Sequence, residues 1–220
     1  MQAEKIQRVL VWSVSLRLAH WSIALSVMLL AATGWLIQNS PMVADGAADV
    51  HDFFSVALIL GLGLRLWLLF SGSSEISKWR QLVPRMSTDK ARISDMLRFY
   101  LTFGRPPLPG WFAHNPLWAP VYLLLLAILF LQVMSGLLME TFPVLWGFYL
   151  PNTHELLAVV IFVFFVLHIV AVVFNELKGT GSDISAMING YRIFVTDKAQ
   201  QPVSTTVQYI RPDEVKKRGR

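Results

Sequence analysis

Four long apolar stretches alternate with polar segments along this chain, at about Leu16–Ile37, Val50–Phe70, Pro116–Met139 and Asn152–Phe174. Each approaches or exceeds the ~20 residues that carry an α-helix across a bilayer. A segment in lipid must satisfy its own backbone hydrogen bonds, so runs of this kind are helices. The pattern predicts an all-α fold, an integral membrane four-helix bundle. Between the second and third stretches, Ile93, Met96, Leu97, Tyr100 and Leu101 recur at helical spacing while Arg92, Asp95 and Arg98 fall elsewhere. That predicts an amphipathic helix over about 89–103, lying on a membrane surface. The run Arg105-Pro106-Pro107-Leu108-Pro109-Gly110 ends it. The first stretch follows a basic N-terminus, as a signal peptide would. It is long for one and lacks a small-x-small cleavage site, so it reads as a retained helix. The membrane domain is expected over 1–195, and a basic, flexible tail over 196–220.

Composition narrows this picture. Of the 220 residues, 55% are hydrophobic and only 15% charged, too apolar for an ordinary soluble domain. There is no cysteine. Disulfides, thiolate-bound iron–sulfur clusters and thioether-attached haem are therefore excluded. The 19 Lys and Arg residues avoid the two short connections at 38–49 and 140–151 altogether. The positive-inside rule then places both termini and the long central segment in the cytoplasm. Anionic lipid headgroups explain the pI of about 9.7 better than nucleic acid does.

Histidine supplies the candidate chemistry. His154 and His168 lie fourteen residues apart in the fourth stretch, about four helical turns, so both face one side some 21 Å apart along the axis. They cannot share one metal ion. With the topology above, His51 opens the second span at the outer depth of His154. His20 lies in the first turns of the first span, at the inner depth of His168. The four form two pairs at matched depth, His51/His154 and His20/His168. Ionisable groups inside membrane helices are rare and usually functional. We read the pairs as axial ligands of two non-covalent b-type haems stacked across the membrane. Zinc fits poorly: His154-Glu155 begins like a zinc-protease helix, but Ala158 stands where the second histidine is required.

Neighbouring residues extend this reading. Gly34 is fourteen after His20 and should face the interior at the outer level, either to admit a porphyrin or to pack helices. Gly61, Gly63 and Gly136 admit the same two readings, with packing favoured. Arg65, fourteen after His51, and Arg17, beside His20, are candidates for the inner haem's propionates; snorkelling to headgroups is the alternative. Met42, Met134 and Met139 could ligate haem but read as ordinary packing.

These residues resemble the bacterial di-haem cytochrome b family, the cytochrome b561 group that includes the membrane anchors of respiratory nickel–iron hydrogenases and the gamma subunit of formate dehydrogenase-N. The likeness covers about 9–195. It rests on Arg17-Leu18-Ala19-His20-Trp21, on His51 followed by Arg65 and Trp67, on His114-Asn115-Pro116-Leu117, on Gly136, on His154 and His168, and on Ser185-Ala186-Met187-Ile188 with Gly190. The hydrogenase branch is the nearest in pattern. The resemblance implies a multi-pass membrane-anchor subunit in a bacterial inner membrane. Periplasmic iron–sulfur and catalytic subunits of a hydrogenase-like complex would supply electrons to the outer haem. The inner haem would pass them to membrane quinone. It also implies a quinone pocket involving His168 and Asn115, with His114 beside them as a proton relay or an interfacial histidine. A stand-alone superoxide:quinone oxidoreductase is the alternative; the long central loop and the tail favour a docked subunit. A small transporter or channel would need a polar path through the core, and the third and fourth stretches are too apolar for one.

Overall fold

The structure, a computed structural model, describes residues 5–71, 75–83, 89–179 and 182–196. Four helices in it are long and apolar enough to cross a membrane. Helix α1 (Val14–Asn39) starts where the Ser13 hydroxyl accepts the Leu16 N–H at 3.3 Å, the usual way a helix start is capped. A short 3-10 turn at Pro41–Val43 reverses the chain into α2 (Ala44–Ser71). These two helices approach closely at Gly61, where an added Cβ would fall 2.7 Å from the Ser22 hydroxyl oxygen. That hydroxyl donates to the Ala57 carbonyl at 3.1 Å. Small residues and interhelical hydrogen bonds of this kind hold membrane helices together, so Gly61 is a packing glycine. Gly63 faces open space.

Helix α3 (Asp89–Leu101) precedes α4 (Trp118–Leu138). Strands β2 (Val144–Leu145) and β3 (Phe148–Tyr149) form a hairpin. Its turn residues Trp146 and Gly147 both have positive φ, 50° and 85°. A two-residue hairpin loop demands this, and glycine supplies it without strain. Helix α5 (Leu150–Lys178) follows directly. Helix α1 touches α2 and α5, and α4 touches α2 and α5, which closes a ring of four. Val27, Leu58, Leu62, Leu126, Leu129 and Ile161 fill its centre. Side chains such as Leu124, Phe162 and Leu167 point outward, which lipid tolerates because its tails are as apolar as leucine.

The two ends of the bundle differ in charge. The end formed by the α1–α2 turn and the β2–β3 hairpin exposes Asp45, Asp49, Asp52, Glu140 and Glu155; we call it the acidic end. The other, the basic end, gathers β1 (Lys5–Leu10), α3, the short helix α6 (Asp183–Asn189) and β4 (Tyr191–Thr196). Strands β1 and β4 pair antiparallel from Lys5↔Thr196 to Leu10↔Tyr191. Arg192 ties this layer together. It meets Asp183 at 2.6 Å and donates to the Trp111 and Phe112 carbonyls at 3.1 and 2.7 Å. Burial pushes the Asp183 carboxyl up and the Arg192 guanidinium down, and their mutual attraction opposes both shifts.

Several features depart from the sequence expectation. Helix α2 begins at Ala44, ahead of the expected Val50, because its first turns are polar yet helix-compatible and hydropathy alone passes over them. The amphipathic helix forms, but Met96 and Phe99 are wholly buried, with Phe99 5.3 Å from the Phe174 ring. Only Leu97 and Leu101 of its apolar positions are exposed, so most of the stripe covers protein. The β1–β4 pair joins segments far apart in sequence and carries no local signal. Beyond Thr196 the expected tail lies outside the described residues.

Candidate functional site: two histidine pairs

His51, two turns into α2, faces His154, in the second turn of α5. Their ring centroids are 6.5 Å apart at an interplanar angle of 62°. His20 on α1 faces His168 on α5 at 6.3 Å and the same 62°. Neither pair is in hydrogen-bond contact. Two metal–imidazole bonds of about 2 Å, plus roughly 1.1 Å from each nitrogen to its ring centre for bonds of conjugated C–N length, come to about 6 Å. Each gap is therefore the size that one iron between two imidazoles fills. Among the described residues no cluster of three or more His, Asp or Glu side chains could hold a bare metal ion. The donor set at each level is two neutral imidazoles, which suits an iron whose remaining ligands come from a macrocycle.

The acidic-end rings are held by hydrogen bonds. His51 Nδ1 lies 2.9 Å from the Thr33 hydroxyl. His154 Nδ1 lies 3.0 Å from the Ser135 hydroxyl and 3.1 Å from the Gln132 carbonyl. The Gln132 amide nitrogen sits 3.0 Å from His154 Nε2, and its Oε1 is buried with no partner. The lone pair now facing that amide is the one an iron would take. Gly34 lies at the expected level: a Cβ there would be 3.6 Å from His51 Cε1. Gly136 is tighter, with a Cβ only 3.0 Å from His154 Cε1. This glycine serves the site rather than helix packing alone.

The basic-end rings sit among aromatic side chains. Phe164 stacks on His168 at 5.8 Å and 11°, and Tyr122 meets it edge-on at 5.9 Å. Trp21 lies edge-on to His20 at 5.5 Å. Among the described residues neither ring makes a hydrogen bond. Arg17 donates to the Ile188 carbonyl and Trp21 to the Met187 carbonyl, at 2.9 Å for Trp21. Both thus bind the C-terminal carbonyls of α6, and Arg17 Nε remains buried without a partner. Arg65 donates to the Ser77 carbonyl at 3.1 Å.

His114 packs edge-on against Trp12 at 5.1 Å and lies 6.5 Å from Tyr122. Burial, with the Arg65 charge behind it, holds its imidazole down to about 4, so it is neutral at pH 7. Asn115 is buried and fully engaged. Its carbonyl accepts the Leu117 N–H at 3.0 Å, and its amide reaches the Tyr100 hydroxyl at 3.3 Å. That same hydroxyl accepts from Trp118 at 3.1 Å and from Asn175 at 2.9 Å. Met42 is exposed, far from ligand duty.

Thr33, Ser135, Gln132, Tyr122 and Asn175 escaped the sequence reading, and Tyr100 entered it only as part of the amphipathic stripe. A signal existed for the first three: each is a polar residue inside an apolar run, and Thr33 and Ser135 immediately precede Gly34 and Gly136.

Comparison with known proteins identifies the family. Over 220 aligned residues the chain is 24% identical to a protein of Cupriavidus necator (strain H16) described as a probable Ni/Fe-hydrogenase B-type cytochrome subunit, covering 87% of this chain and 89% of that one. No solved structure matches it. The family model of the prokaryotic cytochrome b561 proteins matches residues 11–190, which include all four membrane helices. The chain is thus a multi-pass bacterial membrane protein, and it belongs to the prokaryotic cytochrome b561 family.

Proposed function

We propose that this membrane b-type cytochrome is the di-haem anchor subunit of a hydrogenase-like respiratory complex and carries electrons across the bilayer to quinone. The observation that carries this reading is the duplicated histidine pair, with gaps of 6.5 and 6.3 Å at the two ends of one bundle. When bound, a haem supplies reversible one-electron chemistry. The chain would supply two imidazole ligands for each group, the apolar core between them and the electrostatics at each end. His51 and His154 would hold the acidic-end group, His20 and His168 the basic-end one. Gly34 and Gly136 leave room beside the acidic-end ligands. Arg17, three residues before His20, and Arg65, whose guanidinium donates to the Ser77 carbonyl, are assigned to propionates at the basic end.

The positive-inside rule orients the basic end, with both termini, toward the cytoplasm. The acidic end then meets periplasmic iron–sulfur and catalytic subunits. The name of the Cupriavidus relative makes a nickel–iron hydrogenase the partner of choice. Quinone binds at the basic end, beside His168, with His114 facing it and Asn115 held in place behind through Tyr100. Quinone reduction takes up protons, and His114, neutral at pH 7, would relay one onward to the quinone rather than store it.

The test is reduction of the purified chain in nanodiscs by a quinol analogue. Reduction of one haem that His168→Ala abolishes and His154→Ala spares supports the assignment. Reduction that depends on His154 alone overturns it.

A further inference from the structure

The hydrogen bonds at the acidic end repeat one local pattern on two helices. On α1, the Leu30 backbone, the Thr33 hydroxyl and Gly34 face His51. On α4, the Gln132 carbonyl, the Ser135 hydroxyl and Gly136 face His154. In both cases the carbonyl stands three residues before the hydroxyl and the glycine one after it. In both cases the histidine lies early in the next membrane-spanning helix. The first helical hairpin and the second build the same support around one ligand each.

The direction of these bonds follows from counting protons. A hydroxyl has one. Thr33 donates it to the Leu29 carbonyl at 2.8 Å, and Ser135 donates it to the Gln132 carbonyl at 2.9 Å. With its proton so placed, each hydroxyl turns a lone pair to the ring, and the ring nitrogen facing it is then the donor. The Gln132 carbonyl beside His154 Nδ1 can only accept, which demands the same proton there. Nδ1 carries hydrogen in both rings, and Nε2 is left with its lone pair. The bond made by one imidazole nitrogen decides what the other can bind.

We propose that Thr33 and Ser135 are positioning residues that fix His51 and His154 as Nδ1–H tautomers and strengthen their Nε2 as iron ligands. This sets the potential of the acidic-end haem independently of the basic-end one. The inference rests on the bis-histidine reading above. A histidine that donates its second N–H to an acceptor is a more basic ligand, and a more basic ligand favours oxidised iron. The basic-end rings make no hydrogen bond among the described residues and so lack this device there.

The experiment is a spectroscopic redox titration of the full-length haem-loaded protein in nanodiscs, for wild type, Thr33→Val, Thr33→Ser and Ser135→Ala. Valine matches threonine in shape but cannot accept a hydrogen bond. The expected result is an upward shift of one midpoint potential in Thr33→Val and Ser135→Ala, with the other potential unmoved. Thr33→Ser should restore the wild-type value. The low-spin electron paramagnetic resonance signal of the same haem should move with it. If Thr33→Val and Ser135→Ala both lose that haem, recovery in Thr33→Ser of the haem and its potential upholds the hydroxyl's role, and failure to recover overturns it. Unchanged potentials in both variants, or equal shifts of both haems, also overturn it. The underlying reading is checked separately. If wild type contains no haem that His154→Ala removes, the ligand assignment itself fails. If that haem is present and indifferent to both hydroxyls, only this inference fails.

Discussion

At the acidic end each histidine is gripped through Nδ1 by a hydroxyl on the neighbouring helix, while at the basic end His20 and His168 are wedged among Trp21, Phe164 and Tyr122 with no hydrogen bond to either ring among the described residues. The gaps and angles of the two pairs are nearly equal, so the difference lies in what supports the rings. A hydrogen bond selects a tautomer and pushes electron density toward the metal. Aromatic packing selects only an orientation and keeps water out. Two sites of the same ligand type can thereby differ in potential across one bundle. On the proposed reading, a haem at the acidic end, with Asp52 and Glu155 exposed one residue beyond its ligands, should be the harder to reduce, which would favour electron flow from it to the basic end.

Removing a ligand should separate the two ends most completely. His154→Ala should lose the acidic-end haem and about half of the b-type absorbance, and His168→Ala the basic-end half, as reduced-minus-oxidised spectra will read. Loss of both from either variant would mean that the ends are not independent. Gly136→Val comes next. A Cβ already at 3.0 Å from His154 Cε1 leaves no room for a branched side chain, and crowding of this kind costs about 1–3 kcal/mol. Haem occupancy should fall at the acidic end alone. Gly34→Ala, with 3.6 Å available, should be nearly silent. Phe164→Ala should disturb only the basic end. It removes a ring contact of about 0.5–1.5 kcal/mol and should broaden that haem's signal without moving the other.

The smallest effect is a pH dependence. His114 titrates at about 4 in the folded chain and near 6.5 when unfolded. Its folded value is the lower one, so the unfolded state binds the proton first. The stability present above pH 6.5 should therefore decline as pH falls toward 4, and His114→Phe should flatten that decline. Thermal unfolding in detergent across this range is the check.

Much of this arrangement was legible in the sequence. The fourteen-residue interval from His154 to His168 and the charge asymmetry of the connections were enough to pair His51 with His154 and His20 with His168. The structure brings those pairs face to face. Gly34 was placed correctly by the same periodicity. What escaped depends on contacts between distant segments. No local pattern joins β1 to β4, and nothing near Arg192 announces its reach to Asp183 and the carbonyls before α4. Asn115 looked free to meet a ligand. Its engagement with Tyr100 could be seen only once α3 packed its Met96 and Phe99 against the bundle. Gly136 read as a packing glycine because its partner histidine lies eighteen residues on, across the hairpin.

The central claim is that each histidine pair clamps one iron. Its most direct test is the haem-to-protein ratio of the purified chain, taken together with low-temperature electron paramagnetic resonance of the oxidised form. Two haems per chain, giving two low-spin bis-histidine signals that His154→Ala and His168→Ala remove one at a time, is the predicted result. A single haem, or a signal that survives both substitutions, would contradict it.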